Sequence, residues 1–216
     1  MIDDDQNSRR RQAPSLPPGL RFFPCYIDAQ AQAALVEEIR SVVRAAPLYR
    51  PQMPRSGKPL SVRMTNCGPL GWVTDRQHGY RYQPNHPETG LPWPPIPPDL
   101  LELWKSLAPA APPPEACLVN VYGPEAKMGL HQDKDEATFA APVLSVSLGD
   151  EALFRIGGSE RGGPTVSFRL RSGDVLLMDG ESRLAFHGID RIYGGTAALL
   201  RQPGRINLTL RRVTPF

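Results

Sequence analysis

The sequence predicts an α+β fold, with helices in its first part and an antiparallel β-sandwich, barrel or jelly roll in its second. Three observations predict it. From residue 116 the chain breaks into short β-rich segments, "ACLVNVY", "VLSVSLG", "ALFRIGG", "TVSFRL", "DVLLMD", "LAFHGI" and "INLTLRRV", parted by turn signals such as "GD", "GG" and "SGD". Many short strands in about 100 residues are the pattern of an all-β sandwich or barrel. Earlier stands one strongly amphipathic stretch, "AQAQAALVEEIRSVVRAA", with apolar residues at helical spacing. Between the two lie "PWPPIPP" and "PAAPPP", which cannot be sheet interior because proline has no amide hydrogen for a ladder.

Along the chain, residues 1–19 are charged and then Pro-rich ("APSLPPG"), the composition of a disordered leader. "FFPCYI" suits a short strand. Asp28 is placed to cap a helix whose stripe is Leu35, Ile39, Val42, Val43 and Ala46, closed by Pro47. Residues 47–98 are punctuated by Pro and Gly, with Tyr49, Trp72, Tyr80, Tyr82 and Trp93 between them, and lead into a short helix at 98–107. The expected division is a leader at 1–19, a first part at 20–115 and a β core at 116–216, with 20–216 folding as one domain.

The net charge of +3 permits a polyanionic partner without arguing for one, and "RRR" at 9–11 reads first as a solvated tail. Cys25, Cys67 and Cys117 are sparse and form no C-x-x-C, which fits reduced thiols. "MIDDDQNSRRRQAP" lacks the apolar core of a secretory signal. No run approaches the roughly 18 apolar residues of a membrane span. A soluble cytoplasmic monomer with no membrane contact is expected.

Chemistry concentrates in "MGLHQDKDE", residues 128–136. If extended, it puts His131, Asp133 and Asp135 on one face, where unpaired carboxylates are costly to bury. His187 lies in the otherwise apolar "LAFHGI". Two histidines and one carboxylate are the minimum facial set for non-haem Fe(II), and a zinc hydrolase could use the same three. In "RINLTLR", Ile206, Leu208 and Leu210 point one way, while Arg205, Asn207, Thr209 and Arg211 point the other. Two guanidinium forks on one inward face can hold a dicarboxylate, and Asn120 and Tyr122 of "CLVNVY" share a face that could assist. A chelating keto acid with a distal carboxylate, 2-oxoglutarate, needs that combination.

With "NVYGPEAKMGLHQDKDE", "PVLSVSLG", "SGDVLLMDGESRLAFHGI" and "RINLTLR" the sequence resembles the AlkB family of Fe(II)/2-oxoglutarate-dependent dioxygenases that repair alkylated nucleobases. "MTNCGPLGWVTDRQHGYRYQP" and "PWPPIP" resemble its nucleotide-recognition lid, so the likeness runs from about residue 60 to 213. It implies a double-stranded β-helix (jelly-roll) core with an N-terminal helix and lid, and His131, Asp133 and His187 as iron ligands. It also implies Arg205 and Arg211, assisted by Asn120, Tyr122 and Asn207, as the 2-oxoglutarate site, with Arg211 nearer the chelating carboxylate. Trp72 takes the position that stacks on the damaged base, and Met64, Tyr80, Tyr82, Asp135 and Arg161 fall where the family contacts the base or its flanking backbone. The implied activity is oxidative demethylation of bases such as 1-methyladenine and 3-methylcytosine in single- or double-stranded DNA, with RNA left open. It consumes O2 and 2-oxoglutarate and releases succinate, CO2 and formaldehyde. A 2-oxoglutarate oxygenase with a substrate other than nucleic acid is the alternative.

Overall fold

Consecutive strands of the second half cross back and forth between two sheets. The computed structural model describes residues 16–216, so most of the expected disordered leader lies outside the described residues. A large sheet contains β1 (Leu20–Phe23), β2 (Arg63–Cys67), β5 (Ala116–Tyr122), β7 (Val143–Gly149), β10 (Val175–Met178) and β12 (Arg205–Arg211). Its order is β1-β10-β7-β12-β5-β2. A smaller sheet, in the order β6-β11-β8-β9, holds β6 (Met128–His131), β8 (Glu151–Ile156), β9 (Val166–Leu170) and β11 (His187–Tyr193). From β5 to β12 only the β8–β9 hairpin stays within one sheet. This is the double-stranded β-helix, a jelly roll with its two inner faces packed together.

Alternation along the strands makes two cores. Ile206, Leu208 and Leu210 of β12 face outward with Val119, Leu144 and Val146, against Leu35, Ile39 and Val42 of a helix. That helix, α1 (Ala29–Ala45), starts where the Asp28 carboxylate accepts the Ala31 amide at 2.8 Å. A second helix, α2 (Pro98–Leu107), adds Leu100 and Trp104 to the same layer. The inward residues Met64, Leu118, Tyr122, Val143, Phe154 and Ile189 pack between the sheets. Polar side chains of β5, β7 and β12 share that inner face, as described below.

Four expectations change. The strand expected in "FFPCYI" starts earlier, at Leu20, and stops before Pro24 and Cys25, whose φ of 51° breaks extension. Residues 16–19, assigned to the leader, are held against the fold: Ser182 Oγ donates to the Pro18 carbonyl at 2.6 Å. The strand in "LAFHGI" begins only at His187 and continues to Tyr193, because Ala185 N–H donates back to the Ser182 carbonyl, closing the turn that follows the 3-10 segment Gly180–Ser182. The Pro- and Gly-rich stretch at 47–98 hides β2, which joins the large sheet beside β5, and a hairpin of β3 (Gly71–Asp75) and β4 (Gly79–Gln83). Gly71 is obligatory there, since a Cβ would sit 2.4 Å from the Trp93 ring.

Candidate metal and cosubstrate site

β6 ends at His131, so Asp133 and Asp135 do not share a strand face with it, contrary to the extended reading. Beyond His131 the chain is held by side chains in place of a ladder. Gln132 Nε2 donates to the Ser159 and Leu184 carbonyls, and Arg183 Nη1 donates to the Asp133 carbonyl at 2.7 Å. The three ligand candidates converge nonetheless. Antiparallel pairing of β6 with β11 sets His131 directly opposite His187, with ring centroids 4.5 Å apart. Asp133 Oδ1 lies 3.8 Å from His131 Nε2, and Asp133 Oδ2 lies 3.9 Å from His187 Nε2. The ligand atoms of all three lie within 4.8 Å of one another.

The hydrogen bonds fix which nitrogen is free. His131 Nδ1 lies 3.0 Å from the Gly129 carbonyl, and His187 Nδ1 lies 2.9 Å from the Ala185 carbonyl. A carbonyl only accepts, so each Nδ1 carries the proton and each neutral ring turns a lone pair inward at Nε2. Burial pushes His187 down to about 4, so this ring is neutral at pH 7. Burial alone would raise Asp133, but its surroundings, the Arg211 guanidinium foremost, hold the carboxyl well below the usual range. Two imidazole lone pairs thus face an ionised carboxylate, a donor set that fits a divalent cation with open coordination positions.

Beside this triad runs a buried polar file. In register, Asn207 of β12 lies between Asn120 of β5 and Ser147 of β7, and Arg205 lies opposite Tyr122. Asn120 Nδ2 donates to Asn207 Oδ1, and Asn207 Nδ2 donates to Ser145 Oγ. Arg205, 1% exposed, donates Nη2 to Ser147 Oγ at 3.0 Å and lies over the Tyr122 ring at 5.3 Å. Its Nε and Nη1, buried, have no hydrogen-bond partner among the described residues. Desolvation lowers its proton affinity, against the opposing influence of Tyr122. A buried guanidinium with idle donors and, among the described residues, no carboxylate within salt-bridge reach fits an incoming carboxylate. About 20 Å of strand away at six residues' remove, Arg211 instead clasps Asp133 Oδ2 through Nε and Nη2 at 3.1 and 2.8 Å.

The predicted lid residues fall into two groups. Trp72 stacks on Tyr80, which is 53% exposed, with centroids 5.7 Å apart, and its Nε1 donates to Asp135 Oδ2 at 2.8 Å. Tyr82 turns inward and donates its hydroxyl to Glu136 Oε1 at 2.6 Å. Two residues stand apart. Met64 is 1% exposed in the inner core, and Arg161 lies over the Phe186 ring at 5.0 Å in the loop leading to β9.

Sequence reasoning missed Glu136 and Arg183. Glu136, buried, lies 3.4 Å from Arg211 Nε and 3.2 Å from Arg183 Nη2 and so ties the lid's Tyr82 to the metal-side arginine. The available signal was an arginine inside "ESRLAFHG", where a guanidinium must find an inner partner.

Residues 19–211 match the family model described as the 2OG-Fe(II) oxygenase superfamily. The chain is 54% identical over 197 residues to an alpha-ketoglutarate-dependent dioxygenase AlkB homolog of Caulobacter vibrioides, covering 90% of this chain and 88% of the relative. It is 44% identical over 186 residues to the alpha-ketoglutarate-dependent dioxygenase AlkB of Escherichia coli, covering 84% and 85%. The solved structure of OsALKBH1 superposes with a TM-score of 0.79 at 33% identity, covering 91% of this chain and 98% of that one. Together with a His131–Asp133–His187 cluster able to hold a metal ion, these likenesses show that the chain belongs to the AlkB family of Fe(II)/2-oxoglutarate-dependent dioxygenases.

Proposed function

We propose that this chain removes N-linked methyl groups oxidatively from nucleobases such as 1-methyladenine and 3-methylcytosine in DNA, in single or double strands, with RNA a further substrate for the same test. The observation that carries this reading is the Trp72–Asp135 pair: an indole platform on the lid is hydrogen-bonded to a carboxylate two residues beyond Asp133. Relatives matching about half of the chain add support for both polymers. One from Arabidopsis thaliana is named a DNA N(6)-methyladenine demethylase, and one from Schizosaccharomyces pombe a tRNA demethylase.

In this reading His131, Asp133 and His187 hold Fe(II) through the two Nε2 atoms and Asp133 Oδ1, because Oδ2 is already engaged by Arg211. Arg205 receives the distal carboxylate of 2-oxoglutarate on its idle donors, Arg211 orients the chelating end, and Asn120, Tyr122 and Asn207 line the slot between them. When bound, iron and 2-oxoglutarate activate O2, and the coupled oxidation of the methyl group yields succinate, CO2 and formaldehyde. The protein's share is orientation and the exclusion of unproductive oxidation.

The methyl sits on the Watson–Crick edge, so a paired base must be flipped out or met as a single strand. Trp72 supplies the stacking face, while Tyr80 and Arg161, both exposed, border the base or its flanking backbone; Met64, expected to join them, is 1% exposed and lies in the core beneath. Methylation at N1 of adenine or N3 of cytosine makes the ring cationic. Asp135 Oδ1, which makes no hydrogen bond among the described residues, then favours the lesion over the neutral base and accepts from its exocyclic amine. The lid at 20–115 and the core at 116–216 act as one unit, a monomer in the cytoplasm. Its thiols are all free, with Cys67 and Cys117 buried, and no helix among the described residues is long and apolar enough to cross a membrane.

The test is mass spectrometry of a single-stranded oligonucleotide bearing one 1-methyladenine, incubated with protein, Fe(II), ascorbate and 2-oxoglutarate. A loss of about 14 Da is expected with wild type only when 2-oxoglutarate is present, and not with His131→Ala. Succinate production without that loss, still dependent on His131, would keep the oxygenase and reject the substrate. Trp72→Ala is expected to raise the KM for the methylated oligonucleotide by about 5- to 100-fold, the worth of one stacked base. Iron affinity measured by titration stays unchanged in that variant. Lost iron binding would contradict the role given to Trp72.

A further inference from the structure

On the outer face of the large sheet, α1 and the loop before β12 leave a groove of about 640 Å³ with an apolar floor that includes Ile39, Val43 and Val121. Arg40, Arg44, Arg63 and Arg201 line it. A hollow of about 430 Å³ adjoins it, shares Arg63 and Val121, and adds Arg50, Ser61 and Glu125. Arg40 is neutralised by Glu37. Among the described residues Arg44 is satisfied only by the Ser41 hydroxyl, and Arg50 only by the Leu60 carbonyl at 3.5 Å. Arg63 and Arg201 make no ion pair among the described residues, and both are exposed. Four guanidiniums therefore face one lining carboxylate, Glu125, along a track floored by hydrocarbon.

We infer that this arginine-rimmed groove binds the single-stranded nucleic acid that runs on from the target nucleotide. The inference rests on the reading of the substrate as nucleic acid. Phosphates suit guanidiniums spread along a line, and bases suit an apolar floor and the flat faces of arginines. The adjoining hollow is also tied to the strand that ends at the site. Ser61 Oγ, in the adjoining hollow, donates to the Lys127 carbonyl at 2.9 Å. Lys127 precedes β6, whose last residue is His131. Four residues of extended chain span about 13 Å, so a strand leaving the site reaches the groove within a few nucleotides.

The test compares wild type with the triple variant Arg44→Gln/Arg63→Gln/Arg201→Gln and with Arg169→Gln/Arg171→Gln/Arg191→Gln, an equal charge change on or beside the small sheet. Binding of an unmodified single strand of about twelve nucleotides is measured against salt, and KM is measured for a methylated trinucleotide and a methylated strand of that length. Losing three phosphate contacts lowers the slope of log K against log salt by about 2. The groove variant is expected to show that drop and to lose the KM advantage of the longer substrate, with trinucleotide turnover unchanged. Lysine at the same three positions is expected to restore the slope. An unchanged slope, or an equal drop in the small-sheet variant, would overturn the groove. Groove-dependent binding by a wild type that demethylates neither substrate would leave the groove standing and reject the demethylase reading.

Discussion

Replacing Arg205 with methionine is expected to raise the KM for 2-oxoglutarate by about 100-fold or more while the cosubstrate-free protein melts no lower than wild type. The two outcomes have one cause. Arg205 is buried, holds only the Ser147 hydroxyl and the Tyr122 face, and leaves Nε and Nη1 idle. Desolvating a guanidinium without an anionic partner costs several kcal/mol, so an apolar side chain of similar length is neutral or stabilising there. With a carboxylate present the balance reverses, since two charge-assisted hydrogen bonds in a dry slot contribute about 1.5–3 kcal/mol each. Thermal melting with and without 2-oxoglutarate separates the two effects. A variant that melts well below wild type and still binds 2-oxoglutarate normally would show that Arg205 serves the fold and not the cosubstrate.

Asp133→Ala is expected to abolish turnover and, unlike His131→Ala, to destabilise the metal-free protein as well. Asp133 is the bidentate partner of buried Arg211. Removing one member of such a pair costs about 3–5 kcal/mol. Glu136, 3.4 Å from Arg211 Nε, keeps the loss near the lower end. A cost of about 3 kcal/mol lowers the melting temperature of a chain this size by roughly 6–12 °C. Half-exposed His131 neutralises nothing, so its truncation costs iron binding and little stability. Calorimetry of the two metal-free variants checks the contrast, and equal melting would show that Arg211 does not depend on Asp133.

Much of this was legible in the sequence because strict alternation leaves little choice of face. "ACLVNVY", "VLSVSLG" and "RINLTLR" became β5, β7 and β12, the first and last with their inner polar residues as read, and Asp28 capped α1 because a carboxylate before an apolar stripe has one good use. β2, β3 and β4 were hidden because Pro and Gly mark turns without saying whether the intervals between them pair, and the partner of β2 lies some 50 residues downstream. The Asp133 geometry was misjudged for a related reason. Whether a strand continues past His131 depends on Gln132 and Arg183 taking over the hydrogen bonding, and both acceptor and donor partners come from distant segments. Glu136 stayed unseen because its partners, Tyr82, Arg183 and Arg211, meet only in the folded chain.

The two histidines differ from the aspartate in what can go wrong with them over evolutionary time. Each imidazole is aimed by a main-chain carbonyl two residues upstream, Gly129 for His131 and Ala185 for His187. No point substitution deletes a carbonyl, so the tautomer survives change in the neighbouring side chains. Asp133 is aimed by Arg211, a side chain that one codon change can remove. Inherited drift in this centre is therefore channelled toward the carboxylate arm, and directed evolution toward a different metal or a different donor set has its most yielding point there.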